Sequence, residues 1–296
     1  MAEFPSPLRY PGGKSRIFPF VSRLFYENEM IGFSYAEPYA GGSGLALKLL
    51  FDEYVDKIYL NDLDQSIYAF WEAVLDHTEE LCEWIMEVDL TIRNWRYYKK
   101  IHSNPDDFSQ LDLAKATFFL NRTNVSGIIK GGMIGGLAQR SKYNIDARFY
   151  RDESVAKIRR IAGVKHRIRL SNLDGIEFID RLNRRKENIF IYLDPPYFHK
   201  AAELYMNHYI SRDHKRLSRH VLRLQKRWMV SYDDQEFILN LYAEKKALRH
   251  SLARGASNQS GNEILIFSEN VKFQNSTAFL RTASPAELRA NNTSLV

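Results

Sequence analysis

Seven short runs of mostly apolar residues are spaced along the chain, and each has the length of a buried β-strand. They cover residues 35–40, 57–61, 167–171, 189–194, 228–232, 247–252 and 263–267. Helical patterns separate many of these runs: one follows Gly44, one covers residues 175–183 and one covers residues 213–226. The alternation predicts a mainly parallel sheet with helices on both faces. A polar loop, residues 253–262, joins the last two runs, so we expect a hairpin with one antiparallel strand at the sheet edge.

The alternation of strands and helices stops between Asp62 and His166. Apolar side chains first recur at helical spacing, and five of the chain's 15 glycines then lie within residues 127–136. Basic residues exceed acidic ones by eight over residues 88–165. These features predict an inserted, mostly helical, basic subdomain at residues 65–165. The sheet-bearing domain then consists of two separate stretches, residues 1–64 and 166–296.

The overall composition excludes several classes of protein. The chain has 296 residues, of which 45% are hydrophobic and 26% charged, as in ordinary globular domains. The net charge of +6 suits an anionic partner such as nucleic acid, although many basic proteins bind none. A lone cysteine, Cys82, excludes an internal disulfide and a multi-cysteine zinc site. Because no apolar run of about 18 residues and no signal core is present, we expect a cytoplasmic protein.

The strongest chemical signal is the tetrapeptide Asp194-Pro195-Pro196-Tyr197, at the end of an apolar run. Two successive prolines fix two backbone φ angles and leave their carbonyls as rigidly placed acceptors. Asp194 adds a carboxylate acceptor and Tyr197 adds an aromatic ring. Together they suit a flat group that bears an NH2 substituent. The alternative interpretation is an extended turn after a strand, with an exposed tyrosine.

A glycine-rich turn follows the first apolar run, with the sequence EPYAGGSG at residues 37–44. A strand, such a turn and a helix N-terminus together form a typical cofactor cradle. The turn lacks the third glycine or alanine of the dinucleotide fingerprint, and an ordinary tight turn is the commoner meaning of a lone glycine cluster. Asp62 ends the second run about 20 residues later, where such folds often hold a ribose hydroxyl. Its neighbour Asp64 competes for that role, but helix N-capping suits Asp64 better.

The N-terminal segment, PLRYPGGKS at residues 7–15, contains a Gly-Lys-Ser sequence. A phosphate-binding loop requires a glycine five residues before Gly13, and that position holds Leu8. We therefore exclude a nucleoside triphosphatase. Gly12 and Gly13 still allow close backbone approach, and Lys14 is available to neutralise a ligand carboxylate.

The order of these motifs resembles the D12 class N6-adenine DNA methyltransferases, the family that includes the Dam enzymes. Residues 8–14 look like the family's N-terminal cofactor motif, and residues 37–42 look like its glycine-rich turn. Residues 60–64 look like its ribose-binding strand end, and residues 194–197 are its catalytic tetrapeptide. Asn121-Arg122 followed by Ser126-Gly127 falls where its target-recognition segment starts. The resemblance extends through nearly the whole chain.

The resemblance implies a doubly wound, Rossmann-like methyltransferase fold with a mainly parallel, seven-stranded sheet. Residues 1–64 and 166–296 would form the catalytic domain, and residues 65–165 the DNA-recognition subdomain. S-adenosylmethionine would be the methyl donor, and no metal is required. The implied cofactor-binding residues are Tyr10, Lys14, Glu37, Pro38, Gly41, Asp62 and Asp194. The implied catalytic residues are Asp194, Pro195, Pro196 and Tyr197. In the basic insert, the DNA-binding residues that we expect are Arg122, Asn124, Lys130, Arg140 and Lys142.

We therefore expect methylation of an adenine N6 in double-stranded DNA. Hydrogen bonds from N6–H to the Asp194 carboxylate and the Pro195 carbonyl would localise the nitrogen lone pair for in-line displacement. The base must leave the duplex to reach these groups, and Tyr197 would stack on it. We expect a prokaryotic or phage-encoded protein that acts as a monomer or weak dimer. Whether a cognate restriction endonuclease exists stays open, and we expect no stable complex with it.

One departure from the family bears on sequence specificity. The branch that reads GATC has an arginine in its recognition hairpin where this chain has Lys130, and these two residue types are not interchangeable. Specificity for GATC is therefore not assumed. Three alternatives stay open: methylation of an RNA adenine, a catalytically silent DNA-binding protein of the same fold, and, more remotely, a nicotinamide-dependent oxidoreductase.

Overall fold

A computed structural model describes residues 4–9, 14–198, 209–252, 261–280 and 283–285 of the chain. Within these residues the strands are β1 (Phe33–Glu37), β2 (Val55–Asn61), β3 (Ile168–Ser171), β4 (Ile189–Leu193), β5 (Arg227–Asp233), β6 (Ala247–Leu252), β7 (Gly261–Phe267) and β8 (Ser284–Pro285). The α-helices are α1 (Phe18–Glu27), α2 (Gly44–Phe51), α3 (Gln65–Asp76), α4 (Thr78–Glu87), α5 (Ile92–Ser103), α6 (Gln110–Thr123), α7 (Arg151–Ala162), α8 (Gly175–Asn183), α9 (Ser211–Val221) and α10 (Glu236–Leu241).

The described strands form one sheet in the order β3-β2-β1-β4-β5-β7-β6-β8. The first five strands in this order are parallel to one another, and β7 runs antiparallel to β5 and β6. All seven predicted runs are strands, and the hairpin of β6 and β7 is present. The mainly parallel, doubly wound α/β fold is therefore confirmed. The two-residue strand β8, paired with β6, is an addition that the apolar pattern did not indicate.

The sheet reverses its winding direction between β1 and β4. These strands are direct neighbours, with Tyr35 paired to Phe190 and Ala36 to Ile191. From β1 the chain continues outward to β2, whereas from β4 it continues in the opposite direction to β5. In open α/β sheets, a ligand crevice forms at the carboxyl ends of the two strands where the winding reverses. Residues that follow β1 and β4 therefore meet at one crevice.

Each face of the sheet is covered by its own hydrophobic cluster. Tyr35 and Phe190 stack on one face, and Phe25 of α1 meets Phe190 edge to face. The next residues along the same strands, Ala36 and Ile191, belong to the cluster on the other face, which α8 and α9 cover. This alternation follows from the two-residue period of a strand. Because both faces are buried, the strands are continuous apolar runs.

The helices α3 to α7 lie between β2 and β3 and account for the predicted helical insert. Phe118 of α6 stacks on Phe70 of α3 and also meets Trp84 and Phe149 edge to face. These insert residues belong to the same hydrophobic cluster as the first face of the sheet. The division of the chain at residues 65 and 165 stays a prediction, and the two predicted parts share one core. Within the described residues, no helix is both long and apolar enough to cross a membrane.

We expect Phe118→Ala to lower the free energy of unfolding by about 3–5 kcal/mol, because it leaves a cavity among three aromatic rings. Chemical denaturation followed by circular dichroism and tryptophan fluorescence measures the loss. Since insert and sheet share a core, the wild type should unfold in one transition with both probes. Met86→Ala is the control, since Met86 is half exposed. Two separate transitions would show that the insert folds independently.

Candidate active site

The carboxyl ends of three parallel strands each contribute an acidic residue to the crevice. Glu37 is the last residue of β1, Asp62 follows β2 and Asp194 follows β4. The structure thus brings three of the predicted site residues to one edge of the sheet. Pro195, Pro196 and Tyr197 follow Asp194 at the same edge. Tyr10, also predicted to bind the cofactor, lies outside the described residues.

The Asp194 carboxylate is held through one oxygen. Its Oδ1 accepts a hydrogen bond from Ser231 Oγ at 2.7 Å and lies 3.2 Å from Lys14 Nζ. Because Ser231 donates to Asp194, its oxygen accepts from the hydroxyl of Tyr192 at 2.9 Å. Among the described residues, Oδ2 has no hydrogen-bond partner. Desolvation raises the pKa of Asp194, and the nearby ammonium of Lys14 opposes that rise.

Lys14 is the cation of the site and is almost fully buried. Its Nζ lies 3.2 Å from Asp194 Oδ1 and 3.3 Å from Glu263 Oε2, and it donates to the Tyr197 hydroxyl at 2.6 Å. Burial alone would lower the pKa of Lys14, but the carboxylates of Asp194 and Glu263 reverse that effect and raise it. Lys14 therefore stays charged and ties together the N-terminal segment, β4 and β7.

Glu37 is buried at the end of β1. Its Oε1 accepts a hydrogen bond from the Tyr35 hydroxyl at 2.9 Å. Burial raises the pKa of Glu37 to about 8, and the negative charge of Asp194 adds to the rise, while the Tyr35 bond opposes it. Glu37 is thus mostly protonated at neutral pH and can donate as well as accept a hydrogen bond.

The glycine-rich turn is fixed against the end of β2 by backbone hydrogen bonds. Gly41 N donates to Asp62 Oδ2 at 2.8 Å, and Gly41 O accepts from Trp71 Nε1 at 2.8 Å. The Asn61 side chain donates to Pro38 O at 3.0 Å. Burial raises the pKa of Asp62 to about 7, against the effect of its backbone donors. The turn, which includes Pro38 and Gly41, is therefore held in a defined conformation beside the Asp62 carboxylate.

Asp64 has the capping role that the sequence favours for it. Its Oδ1 accepts a hydrogen bond from Ser66 N at 2.8 Å at the start of α3. The Asp64 backbone N–H in turn donates to Asp62 Oδ1 at 3.0 Å. Asp64 thus helps to orient Asp62.

The predicted DNA-binding residues divide into buried and exposed groups. Lys130, Arg140 and Lys142 are exposed on the loop between α6 and α7. Arg122 is buried: its Nη1 donates to Pro7 O at 3.4 Å, and burial, with the charge of Arg9 next, lowers its pKa to about 10. The Arg122 side chain thus lies inside the protein, and its contact with DNA stays a prediction.

Asn124 is fully buried and supports the loop that follows it. Its Oδ1 accepts a hydrogen bond from Trp95 Nε1 at 2.7 Å. Its Nδ2 donates to Ile128 O at 3.0 Å and to Ile129 O at 2.8 Å. All polar side-chain atoms of Asn124 thus bind groups of the protein, and its contact with DNA stays a prediction.

Asn121 joins the N-terminal segment to the insert. Its Oδ1 accepts from Arg9 N at 2.8 Å, and its Nδ2 donates to Arg9 O and Gly127 O, each at 2.9 Å. Gly127 has a φ of 76°, and a Cβ atom there would lie 2.2 Å from Arg9 O. Only glycine allows this approach of the two backbones. The loop after α6 is thus fixed to Arg9, which lies inside the predicted cofactor motif.

Basic and aromatic side chains alternate on the exposed part of the insert. We name Lys142, Tyr143, Arg148 and Tyr150 the tyrosine–arginine patch. The Tyr143 ring has the Lys142 ammonium 5.6 Å and the Arg148 guanidinium 5.7 Å from its centroid. Arg148 Nη1 also donates to the Tyr150 hydroxyl at 3.2 Å. Of the four residues in the tyrosine–arginine patch, Lys142 alone was predicted to bind DNA. The sequence KYNIDARFYR nevertheless alternates basic and aromatic residues.

Ser231 and Glu263, which contact Asp194 and Lys14, were not predicted from the sequence. Ser231 lies within an apolar run, where a single serine carries little signal. Glu263 is the one acidic residue at the start of the run 263–267, and a charge in a buried strand indicates a partner. Among the residues that the structure describes, no group of three or more His, Cys, Asp or Glu side chains is arranged to hold a metal ion.

The chain is similar in sequence to a known methyltransferase. The relative M.MjaIII of Methanocaldococcus jannaschii, a type II methyltransferase, is 20% identical over 204 residues, which are 64% of this chain and 68% of that protein. The structure of the rRNA methyltransferase aviRa from Streptomyces viridochromogenes aligns with 88% of this chain and 87% of its own, at a TM-score of 0.39 and 13% identity. The family model for D12 class N6 adenine-specific DNA methyltransferases matches residues 10–255. With its tetrapeptide, glycine-rich turn and sheet order, the chain belongs to the D12 class N6 adenine-specific DNA methyltransferase family and is an adenine-specific DNA methyltransferase.

Proposed function

We propose that the chain transfers the methyl group of S-adenosylmethionine to N6 of an adenine that is flipped out of duplex DNA. The observation that carries this proposal is how the two carboxylate oxygens of Asp194 are held. One of its carboxylate oxygens is fixed by Lys14 and Ser231, while the other has no partner among the described residues. The carboxylate is thus oriented and keeps one acceptor for an incoming amine.

The glycine-rich turn and its neighbours suit S-adenosylmethionine. Asp62, beside Gly41, would hold the ribose hydroxyls, and Pro38 and Glu37 would line the adjoining part of the crevice. Lys14, with Tyr10, would lie at the methionine end. Asp194 and Glu263 carry two negative charges against the one positive charge of Lys14, so the network favours a cationic ligand. Bound there, S-adenosylmethionine supplies a methyl group on a positively charged sulfur, which already activates it for transfer.

The tetrapeptide would bind the amine of the target base. The free oxygen of Asp194 and the carbonyl of Pro195 accept its two N–H groups, and this draws electron density onto the nitrogen that attacks. Pro195 and Pro196 keep these acceptors in place because their φ angles are fixed. Flipping the base costs roughly a few kcal/mol. Stacking on Tyr197 would offset part of this cost.

The tyrosine–arginine patch, with Lys130 and Arg140, would contact the DNA backbone. Exposed basic side chains of this kind bind phosphates and give affinity without sequence information. The two tyrosine rings add surfaces for sugars or splayed bases. Arg122 and Asn124 would support this surface from beneath, since the ring of Tyr150 lies 5.5 Å from the Arg122 guanidinium.

We expect Asp194→Ala to abolish methylation, with kcat lower by at least about 1,000-fold, because the amine loses its charged acceptor. Purified protein is incubated with S-adenosylmethionine and unmethylated duplex DNA, and the nucleosides are measured by mass spectrometry. Asp106→Ala, at an exposed position, should leave the yield of N6-methyladenine unchanged. Full activity of Asp194→Ala would contradict the proposed mechanism. Methylation of RNA but not DNA by the wild type would contradict the proposed substrate.

The pH dependence of turnover tests the link between Lys14 and Asp194. Methylation requires the ionised carboxylate, so kcat should fall as the pH drops through the pKa of Asp194. Burial raises this pKa and Lys14 opposes the rise. Lys14→Met should therefore move the acid limb of kcat to higher pH, measured at saturating cofactor and DNA. Lys245→Met, which removes an exposed pairing with Glu269, should leave the limb in place. An acid limb of kcat that moves to lower pH in Lys14→Met would contradict the link between Lys14 and Asp194.

The tyrosine–arginine patch predicts a loss of salt-dependent affinity. Arg148→Ala should weaken DNA binding and lower the slope of log K against log salt concentration by about 1. Fluorescence anisotropy with a labelled duplex, at several salt concentrations, measures both quantities. Arg181→Ala removes an exposed arginine of α8 that pairs with Glu177 and should change neither. Equal slopes for the wild type and Arg148→Ala would exclude a phosphate contact at Arg148.

A further inference from the structure

Glu263 is a buried carboxylate at the edge of the sheet where β5 ends. It lies on β7, opposite Asp233 of β5 and His250 of β6, and only 3% of its surface is exposed. A charged group in such a position is costly unless it is paired and hydrogen-bonded. The groups that pair with the Glu263 carboxylate therefore indicate its role in the site.

Both oxygens of Glu263 contact the proposed catalytic groups. Oε1 accepts a hydrogen bond from the Tyr197 hydroxyl, and Oε2 lies 3.3 Å from Lys14 Nζ. Lys14 in turn reaches the Tyr197 hydroxyl at 2.6 Å and Asp194 Oδ1 at 3.2 Å. Glu263, Tyr197 and Lys14 thus form a closed ring of contacts, and Asp194 is attached to it through Lys14.

The donors and acceptors of this ring follow from the chemistry of its groups. An ammonium has three N–H groups and no acceptor, so the three hydrogens of Lys14 point to Asp194, Glu263 and Tyr197. Because the Tyr197 oxygen accepts from Lys14, its own hydrogen goes to Glu263. Every donor in the ring has an acceptor. Loss of the Glu263 charge would leave the Tyr197 hydroxyl and one N–H of Lys14 without their anionic acceptor.

We propose that Glu263 is a positioning residue for methyl transfer. This inference rests on the proposed function. Through Lys14 it orients the Asp194 carboxylate, and through the Tyr197 hydroxyl it orients the ring on which the target base would stack. Glu263 itself touches neither reactant. It reaches the first and last residues of the tetrapeptide from a strand more than 60 residues later in the chain.

His250 is another ionisable group next to Glu263. Its Nε2 lies 3.9 Å from Glu263 Oε2 and makes no hydrogen bond within the described part of the chain. Burial lowers the pKa of His250, and the attraction of Glu263 opposes this only in part. His250 is therefore neutral at neutral pH, and Lys14 is the cation that balances Glu263.

The test is a double-mutant cycle of Glu263→Gln and Tyr197→Phe. Glutamine keeps the size of Glu263 but removes its charge, and phenylalanine removes only the hydroxyl. We expect Glu263→Gln to lower kcat by about 10–100-fold with little change in KM for DNA, because the groups are present but misplaced. The double variant should be no slower than the slower single variant, since both changes break the same ring. A purely structural role would instead give effects that multiply.

Two further measurements separate the possible outcomes. Glu269→Gln changes an exposed glutamate in the turn after β7 and should have wild-type kcat. Crystal structures of the wild type and Glu263→Gln test the positioning without any assay, and we expect the Tyr197 ring to be displaced in the variant. Wild-type kcat in Glu263→Gln, multiplying effects in the cycle, or an undisplaced Tyr197 would each overturn the role of Glu263. A wild-type protein that methylates no DNA would instead overturn the proposed function, and the crystal structures would still decide the positioning.

Discussion

The contact of the Lys14 ammonium with the buried carboxylate of Glu263 and the partly buried carboxylate of Asp194 is the interaction on which the rest of the site depends. It joins residues 249 positions apart in the chain, Lys14 and Glu263, at the edge where Asp194 ends its strand. Removing the Lys14 charge would leave two negative charges side by side without a cation, which is far more costly than losing a surface ion pair. The N-terminal segment, β4 and β7 are therefore held together by electrostatics in addition to apolar packing.

Much of the fold could be predicted because its causes are local. Strands that are buried on both faces appear in the sequence as continuous apolar runs bounded by polar turns. All seven strands predicted from such runs are present. Parallel strands align their carboxyl ends, and this alone brings Glu37, Asp62 and Asp194 to one edge. The capping role of Asp64 follows from its position one residue before α3.

The rest depends on contacts between residues distant in the chain. The partnership of Glu263 with Lys14 and Tyr197 requires the antiparallel placement of β7 beside β5, which no local pattern specifies. The partners of Asn124, Trp95 and two loop carbonyls, lie on other turns of the chain and follow from no local pattern. The short strand β8 was missed because two residues carry no periodicity.

The loop after α6 has a backbone fixed by buried groups and a surface formed by side chains that those groups do not hold. Asn124 holds the carbonyls of Ile128 and Ile129, and Val125 N donates to Gly132 O, so the backbone conformation of the loop is set by buried groups. Exposed side chains such as Lys130 make no contribution to these bonds. Substitutions there change the surface offered to a target at little cost in folding free energy. Exchange of residues in α6 would instead disturb the core that the insert shares with the sheet.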